Sequence, residues 1–180
     1  MYLGKDRKLN RWTGYDYNTP GWYFITICTK DRVEYFGKVE NDKMILNRWG
    51  EMAQNFWQDL PRHFTNCKLD DFVVMPNHIH GIIEIIENLN NKDGGINVGN
   101  ADLRSLQHTK MFLPKIIHGF KSSLSREINK LQYFEWQKSF HDHVIRGEKD
   151  YNAIKYYIQQ NPAKWAEDRN NPINIKNKIS

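Results

Sequence analysis

The segment Phe72–Ile86 (FVVMPNHIHGIIEII) restricts the possible folds of this chain more than any other. Its β-branched residues favour extended backbone, and Pro76-Asn77 is turn punctuation. The segment therefore reads as two strands, from about Lys68 to Val74 and from His78 to about Glu87, joined by a tight turn. Along a strand, residues i and i+2 point to the same face. His78 and His80 thus share a face, roughly 6.6 Å apart at a rise of about 3.3 Å per residue. Two imidazoles at that distance can converge on one cation. Only Asn77 and Glu84 add polarity to this stretch, and an imidazole placed in an apolar element costs free energy unless a partner or ligand meets it. A His-x-His pair without any ligand is the bland alternative.

The rest of the chain supplies elements for such a strand pair to pack against. Trp22–Thr29 (WYFITICT) is a strand by composition. Tyr35–Val39 and Met44–Leu46, separated by the polar stretch from Glu40 to Lys43, read as a hairpin. Asn47 is placed as an N-cap, followed by Trp49, Met52, Ala53, Phe56, Trp57 and Leu60 at helical spacing, with Pro61 ending the pattern. A second helix begins near Leu113-Pro114 and carries the stripe Ile116, Ile117, Phe120, Leu124 and Ile128. Lys115, Lys121 and Arg126 lie off that stripe. Tyr133–Trp136 and Phe140–Ile145 are extended, and a last helix runs from Glu148 until Pro162. Residues 88–110, rich in Asn and Gly, are expected to be a long mobile loop, and 166–180 a polar, frayed tail. Strands interleaved with helices and hairpins argue for an α+β fold in one domain over 1–165, with helices mainly on one face of an antiparallel sheet.

Composition bounds the partners. The 180 residues carry 26 Lys plus Arg against 21 Asp plus Glu, a net charge of +5. With nine Tyr, nine Phe and six Trp, this balance is compatible with single-stranded nucleic acid, where bases stack on rings and phosphates meet cations. No apolar run is long enough for a membrane helix and the charged N-terminus is not a secretory signal. Cys28 and Cys67 lack metal-type spacing and read as reduced thiols of a cytoplasmic protein.

The last helix adds a second chemical group. Tyr157 and Asn161 are four apart and share a helix face. Beside the histidines, a phenol and an amide oxygen would suit phosphoryl transfer: a cation withdraws charge from a phosphate while the tyrosine oxygen attacks it. Tyr156 and Gln160 have the same spacing, about 100° around the helix. Tyr157 is favoured because it sits beside the Ile154 and Ile158 stripe. A tyrosine that merely packs its ring on the sheet is the alternative.

Taken together, FVVMPNHIHGIIEI and the later YIQQNPAKW resemble the single-tyrosine HUH transposases, and among them the REP-associated tyrosine transposases and their insertion-sequence-200-like relatives. GYDYNTPGWYFITICTKDR, LNRWGEM and FHDHVIRGEKD are similar to the same group, so the resemblance spans about Gly14–Trp165. It implies a ferredoxin-like sheet with the HUH strand central. It implies Tyr157 as nucleophile and His78, His80 and Asn161 as ligands of Mg²⁺ or Mn²⁺. The implied partner is single-stranded DNA with a hairpin beside the cleavage site, cut to leave a 5′-phosphotyrosine and a free 3′-hydroxyl. Lys121, in Phe120-Lys121-Ser122, is similar to a basic helix position of the family and is a candidate phosphate contact. Lys115 and Arg11 are further DNA-binding candidates. A solvated surface role is the alternative for these cations. Monomer and homodimer both stay open, as do a non-catalytic single-strand binding protein and a phosphodiesterase that uses water.

Overall fold

The computed structural model describes residues 19–86 and 112–176, the side chains only to Asn174. The N-terminal cations, including Arg11, and the expected loop at 88–110 lie outside the described residues.

The elements follow the hydrophobic patterning closely. They are β1 (Gly21–Cys28), β2 (Gly37–Glu40), β3 (Lys43–Leu46), α1 (Arg48–Gln58), α2 (Leu60–His63), β4 (Cys67–Met75), β5 (His78–Ile85), α3 (Phe112–Ile128), β6 (His141–Val144), α4 (Glu148–Gln160) and α5 (Pro172–Lys176). Short 3-10 turns occupy Lys30–Arg32 and Trp165–Glu167. Asn47 caps α1 as expected, its side-chain oxygen accepting from the backbone N–H groups of Trp49 and Gly50. Pro61 does not end that helix. α1 stops at Gln58, and Pro61 sits in the first turn of α2, where its missing N–H has no intrahelical partner to lose.

Four strands form one antiparallel sheet in the order β4-β5-β1-β6, with β2 and β3 in a separate hairpin. Setting that hairpin aside, the sequence β1-α1-β4-β5-α3-β6 with this strand order is the ferredoxin-like split βαβ arrangement. The histidine strand β5 is central, between β4 and β1.

The two faces of the sheet are covered differently. Tyr23, Ile25, Ile27, Ile79, Ile83 and Ile85 join Trp57 of α1 and the whole expected stripe of α3 in the main core. Gly81 allows the close approach on that side: a Cβ there would lie 2.5 Å from Cζ2 of Trp57. The opposite face carries His78 and His80 and is covered by α4. A bulge docks that helix. The β4–β5 register shifts between Leu69 and Phe72, which turns Asp70 and Asp71 to the same neighbour instead of to opposite faces. Asp70 accepts from the Tyr151 hydroxyl and, at 3.1 Å, from Lys155, while Asp71 accepts from Gln159 Nε2 at 2.7 Å. Burial pushes the Asp70 carboxyl up, but its bonds to Tyr151 and Lys155 outweigh that and hold it below the usual range.

The segment after Asn161 departs from the expected frayed tail. Asp168, Asn170 and Asn171 are buried, and α5 follows them. The side chains of Asp168 and Asn171 are hydrogen-bonded there, whereas Asn170 is held through its backbone and its Nδ2 is buried without a partner among the described residues.

Candidate metal and nucleophile site

His78 and His80 are both fully buried, with ring centroids 4.5 Å apart. The tautomer of His78 follows from its neighbours. Asn77 Nδ2 donates to the carbonyls of Arg32 and Asn170, each at 2.9 Å, so its oxygen is the atom turned to His78 Nδ1, also at 2.9 Å. An amide oxygen only accepts, so His78 Nδ1 carries the proton and Nε2 keeps a bare lone pair. That Nε2 is buried without a hydrogen-bond partner among the described residues. His80 Nδ1 lies 2.9 Å from Thr26 Oγ1, its cross-strand neighbour on β1. His80 Nε2 lies 3.2 Å from the Tyr157 hydroxyl.

Both rings are held neutral. Burial lowers the His78 pKa to about 3, assisted by the positive charges of Arg32 and Arg169 and opposed by the Asn161 amide. Burial and the adjacent His78 push His80 well down. Phe24 stacks on His80 with centroids 5.3 Å apart, and Trp165 lies 5.9 Å from His78, so apolar rings wall the pair and reduce its solvation. Neutral imidazoles are the form that binds a metal, and the Nε2 of His78 has its lone pair free.

Asn161 completes the group. Its Nδ2 donates to Asp168 Oδ2 at 3.2 Å, which leaves its Oδ1 buried and unpartnered. Asp168 Oδ1 accepts from the backbone of Asn170 at 2.6 Å. Ligand atoms of His78, His80 and Asp168 all lie within 4.8 Å of one another. Two orphaned acceptors, His78 Nε2 and Asn161 Oδ1, with a carboxylate alongside, fit a divalent cation: each loses water on folding and gains no protein donor in return. Imidazole, amide and carboxylate donors together make a set that can hold a divalent metal ion.

Tyr157, not Tyr156, reaches the histidines. The Tyr157 ring is edge-on to Phe24 and to His80, at 5.9 and 5.2 Å, and is 38 % exposed. Tyr156 is 60 % exposed and has Lys164 5.8 Å from its ring. Burial raises the Tyr157 pKa, as does Asp168, against the opposing charge of Arg169. The group is therefore a phenol at neutral pH, open to solvent on one side.

The basic candidates lie elsewhere. Lys115 and Lys121 are on α3, whose buried stripe packs on the sheet face opposite the histidines. Lys115 is exposed, whereas Lys121 donates to the carbonyls of Gln137 and Lys138 and so ties down the segment after α3. Arg11 lies outside the described residues. His141 stands opposite Thr26 in register and His143 opposite Phe24. His143 pairs with Asp150 at 2.8 Å, at the start of α4.

Three supporting residues escaped the sequence reading: Asp168, Thr26 and the orienting amide of Asn77. Thr26 and Asn77 act through cross-strand register and a turn, which no spacing rule reveals. Asp168 left a faint trace, as an acidic residue in the otherwise Asn-rich stretch after Asn161.

No protein-family model matches the chain. An uncharacterized protein of Haemophilus influenzae is 37 % identical over 165 residues, covering 91 % of this chain and 92 % of its own length. A second protein of that organism, named as a candidate REP-associated tyrosine transposase, is 28 % identical over 152 residues, covering 83 % of this chain and 74 % of its own. Among solved structures, a REP-associated tyrosine transposase bound to a REP hairpin aligns with a TM-score of 0.53 and 22 % identity, covering 86 % of this chain and 73 % of that one. That likeness concerns the fold.

Proposed function

We propose that the chain acts as a REP-associated tyrosine transposase, the name its 28 % identical relative carries, and that it cleaves and rejoins single-stranded DNA beside a hairpin through a covalent bond to Tyr157. The observation that carries this reading is the Tyr157 hydroxyl 3.2 Å from His80 Nε2, next to two orphaned ligand atoms. A solvent-accessible phenol at that point can meet a phosphate that the buried groups cannot approach from behind.

His78, His80 and Asn161, with Asp168 beside them, would hold Mg²⁺ or Mn²⁺, which when bound supplies Lewis-acid polarisation of the phosphate. The protein's own part is positioning. Asn77 and Thr26 fix the imidazole orientations, Asp168 turns the Asn161 oxygen inward, and α4 presents the phenol. In cleavage the Tyr157 oxygen forms a bond to phosphorus and the bond to the 3′-oxygen breaks. The phenol loses its proton, and the leaving oxygen gains one to become a 3′-hydroxyl. Attack of a 3′-hydroxyl on the phosphotyrosine reverses the sequence, so joining needs no external energy source.

The test is incubation with labelled single-stranded DNA carrying a REP-type hairpin, with Mg²⁺ or Mn²⁺, followed by a denaturing protein gel. A covalent band that disappears in Tyr157→Phe and with EDTA is expected. Cleavage without such a band would mean that water is the nucleophile. Binding without cleavage would mean a binding module.

A further inference from the structure

Two arginines unused by this mechanism are brought to the histidine face from distant parts of the chain. Arg32 closes the 3-10 turn after β1, and Arg169 lies between the buried Asp168 and Asn170. One carboxamide ties both segments together: Asn77 Nδ2 donates to the carbonyls of Arg32 and Asn170, while Asn77 Oδ1 holds His78. The same amide thus sets a candidate metal ligand and two cationic segments.

Arg32 is held in an unusual way. Its φ is +57°, after +53° at Asp31, a left-handed backbone that non-glycine residues adopt only where the surroundings enforce it. Enforcement comes from Asn77 and from the Thr29 carbonyl, which accepts from the Arg32 N–H at 3.3 Å. Its Nη1 is buried without a hydrogen-bond partner among the described residues. The Cys28 thiol nearby is at best a weak acceptor. A guanidinium nitrogen removed from water and left unpaired is costly, and an arriving anion relieves that cost. Arg169 is exposed, and both guanidiniums are close enough to His78, His80 and His141 to oppose their charging. The two Asp168 oxygens accept from Asn161 Nδ2 and from the Asn170 backbone.

We propose that Arg32 and Arg169 clamp the non-bridging oxygens of the scissile phosphate, Arg32 Nη1 as the inner donor and Arg169 as the outer one. Guanidinium donors match phosphate geometry, and fixed donors gain most where charge builds up on the oxygens as tyrosine attacks. This role rests on the transesterase reading.

The test compares wild type, Arg32→Ala, Arg32→Lys and Arg169→Ala for the rate of covalent adduct formation with the hairpin strand. It also measures their affinity for phenyl phosphate, a small mimic of the phosphotyrosine, by calorimetry. Arg32→Ala should slow adduct formation by about 100-fold or more, as loss of a transition-state donor does. It should weaken phenyl phosphate about tenfold, with Arg32→Lys recovering part of both and Arg169→Ala losing less. An unchanged adduct rate would overturn the clamp while leaving the transesterase intact. A slowed adduct with unchanged phenyl phosphate affinity would overturn it too, making Arg32 a structural residue. If wild type forms no adduct, the transesterase reading fails. The phosphate site then stands if phenyl phosphate binding depends on Arg32 and falls if it does not.

Discussion

The two faces of β5 alternate residue by residue, yet they obey different rules. Ile79, Gly81, Ile83 and Ile85 look toward α1 and α3, and what matters there is shape: Trp57 lies where any Cβ on residue 81 would go. His78 and His80 look toward α4, and what matters there is which atom holds a proton and which lone pair is bare. A steric face forgives changes of chemistry that preserve volume, whereas a ligand face forgives little even when volume is kept. The same pleat delivers both, so the stability of one face supports the precision of the other.

The sharpest way to break this comparison is Tyr157→Phe. Removing one oxygen should cut covalent adduct formation by at least about 1000-fold, because no neighbouring group replaces a lost nucleophile, with little change in far-UV circular dichroism. Next comes Asn77→Ala, which frees the His78 tautomer. It should weaken Mn²⁺ binding about 10- to 100-fold, as loss of a group orienting a metal ligand does, measured by titration calorimetry. The other face should respond in the opposite sense. Gly81→Ala should cost about 1–3 kcal/mol of stability through overpacking against Trp57, read from urea unfolding, while the protein that remains folded keeps its metal affinity.

Acid separates the faces further. His78 has its folded pKa depressed to about 3, so between that value and about 6.5 the unfolded chain binds the extra proton. Stability should therefore be fully present above about pH 6.5 and fall as the pH drops through this window, by up to about 1.4 kcal/mol per pH unit for this group. Urea midpoints measured in EDTA from pH 7 to 5 should decline more steeply in wild type than in His78→Ala. The smallest expected effect is at the α4 dock. Asp70→Asn should cost about 1 kcal/mol or less, since the ion pair with Lys155 is partly exposed.

Much of the scaffold was legible because hydrophobic period reports it directly. The α3 stripe, the Asn47 cap and the two strands around Pro76-Asn77 all reflect local chemistry. Helix spacing put Tyr157 and Asn161 on one face, but not which strand that face meets; the structure turns Tyr157 rather than Tyr156 toward His80. What stayed hidden depends on tertiary register. Thr26 matters because β1 pairs with β5 so that residue 26 faces residue 80. Asp168 matters because the chain after α4 turns back under the site, and a polar stretch read in isolation looks like a solvated tail. Pro61 misled in a small way, since a proline ends one helix and opens another with equal ease.

The most direct measurement of the central claim is mass spectrometry of the DNA-linked peptide after reaction with a short hairpin strand and Mn²⁺. The account predicts a nucleotide adduct on Tyr157, joined through a 5′-phosphate. An adduct on Tyr156, or cut DNA with no adduct on any tyrosine, would contradict it.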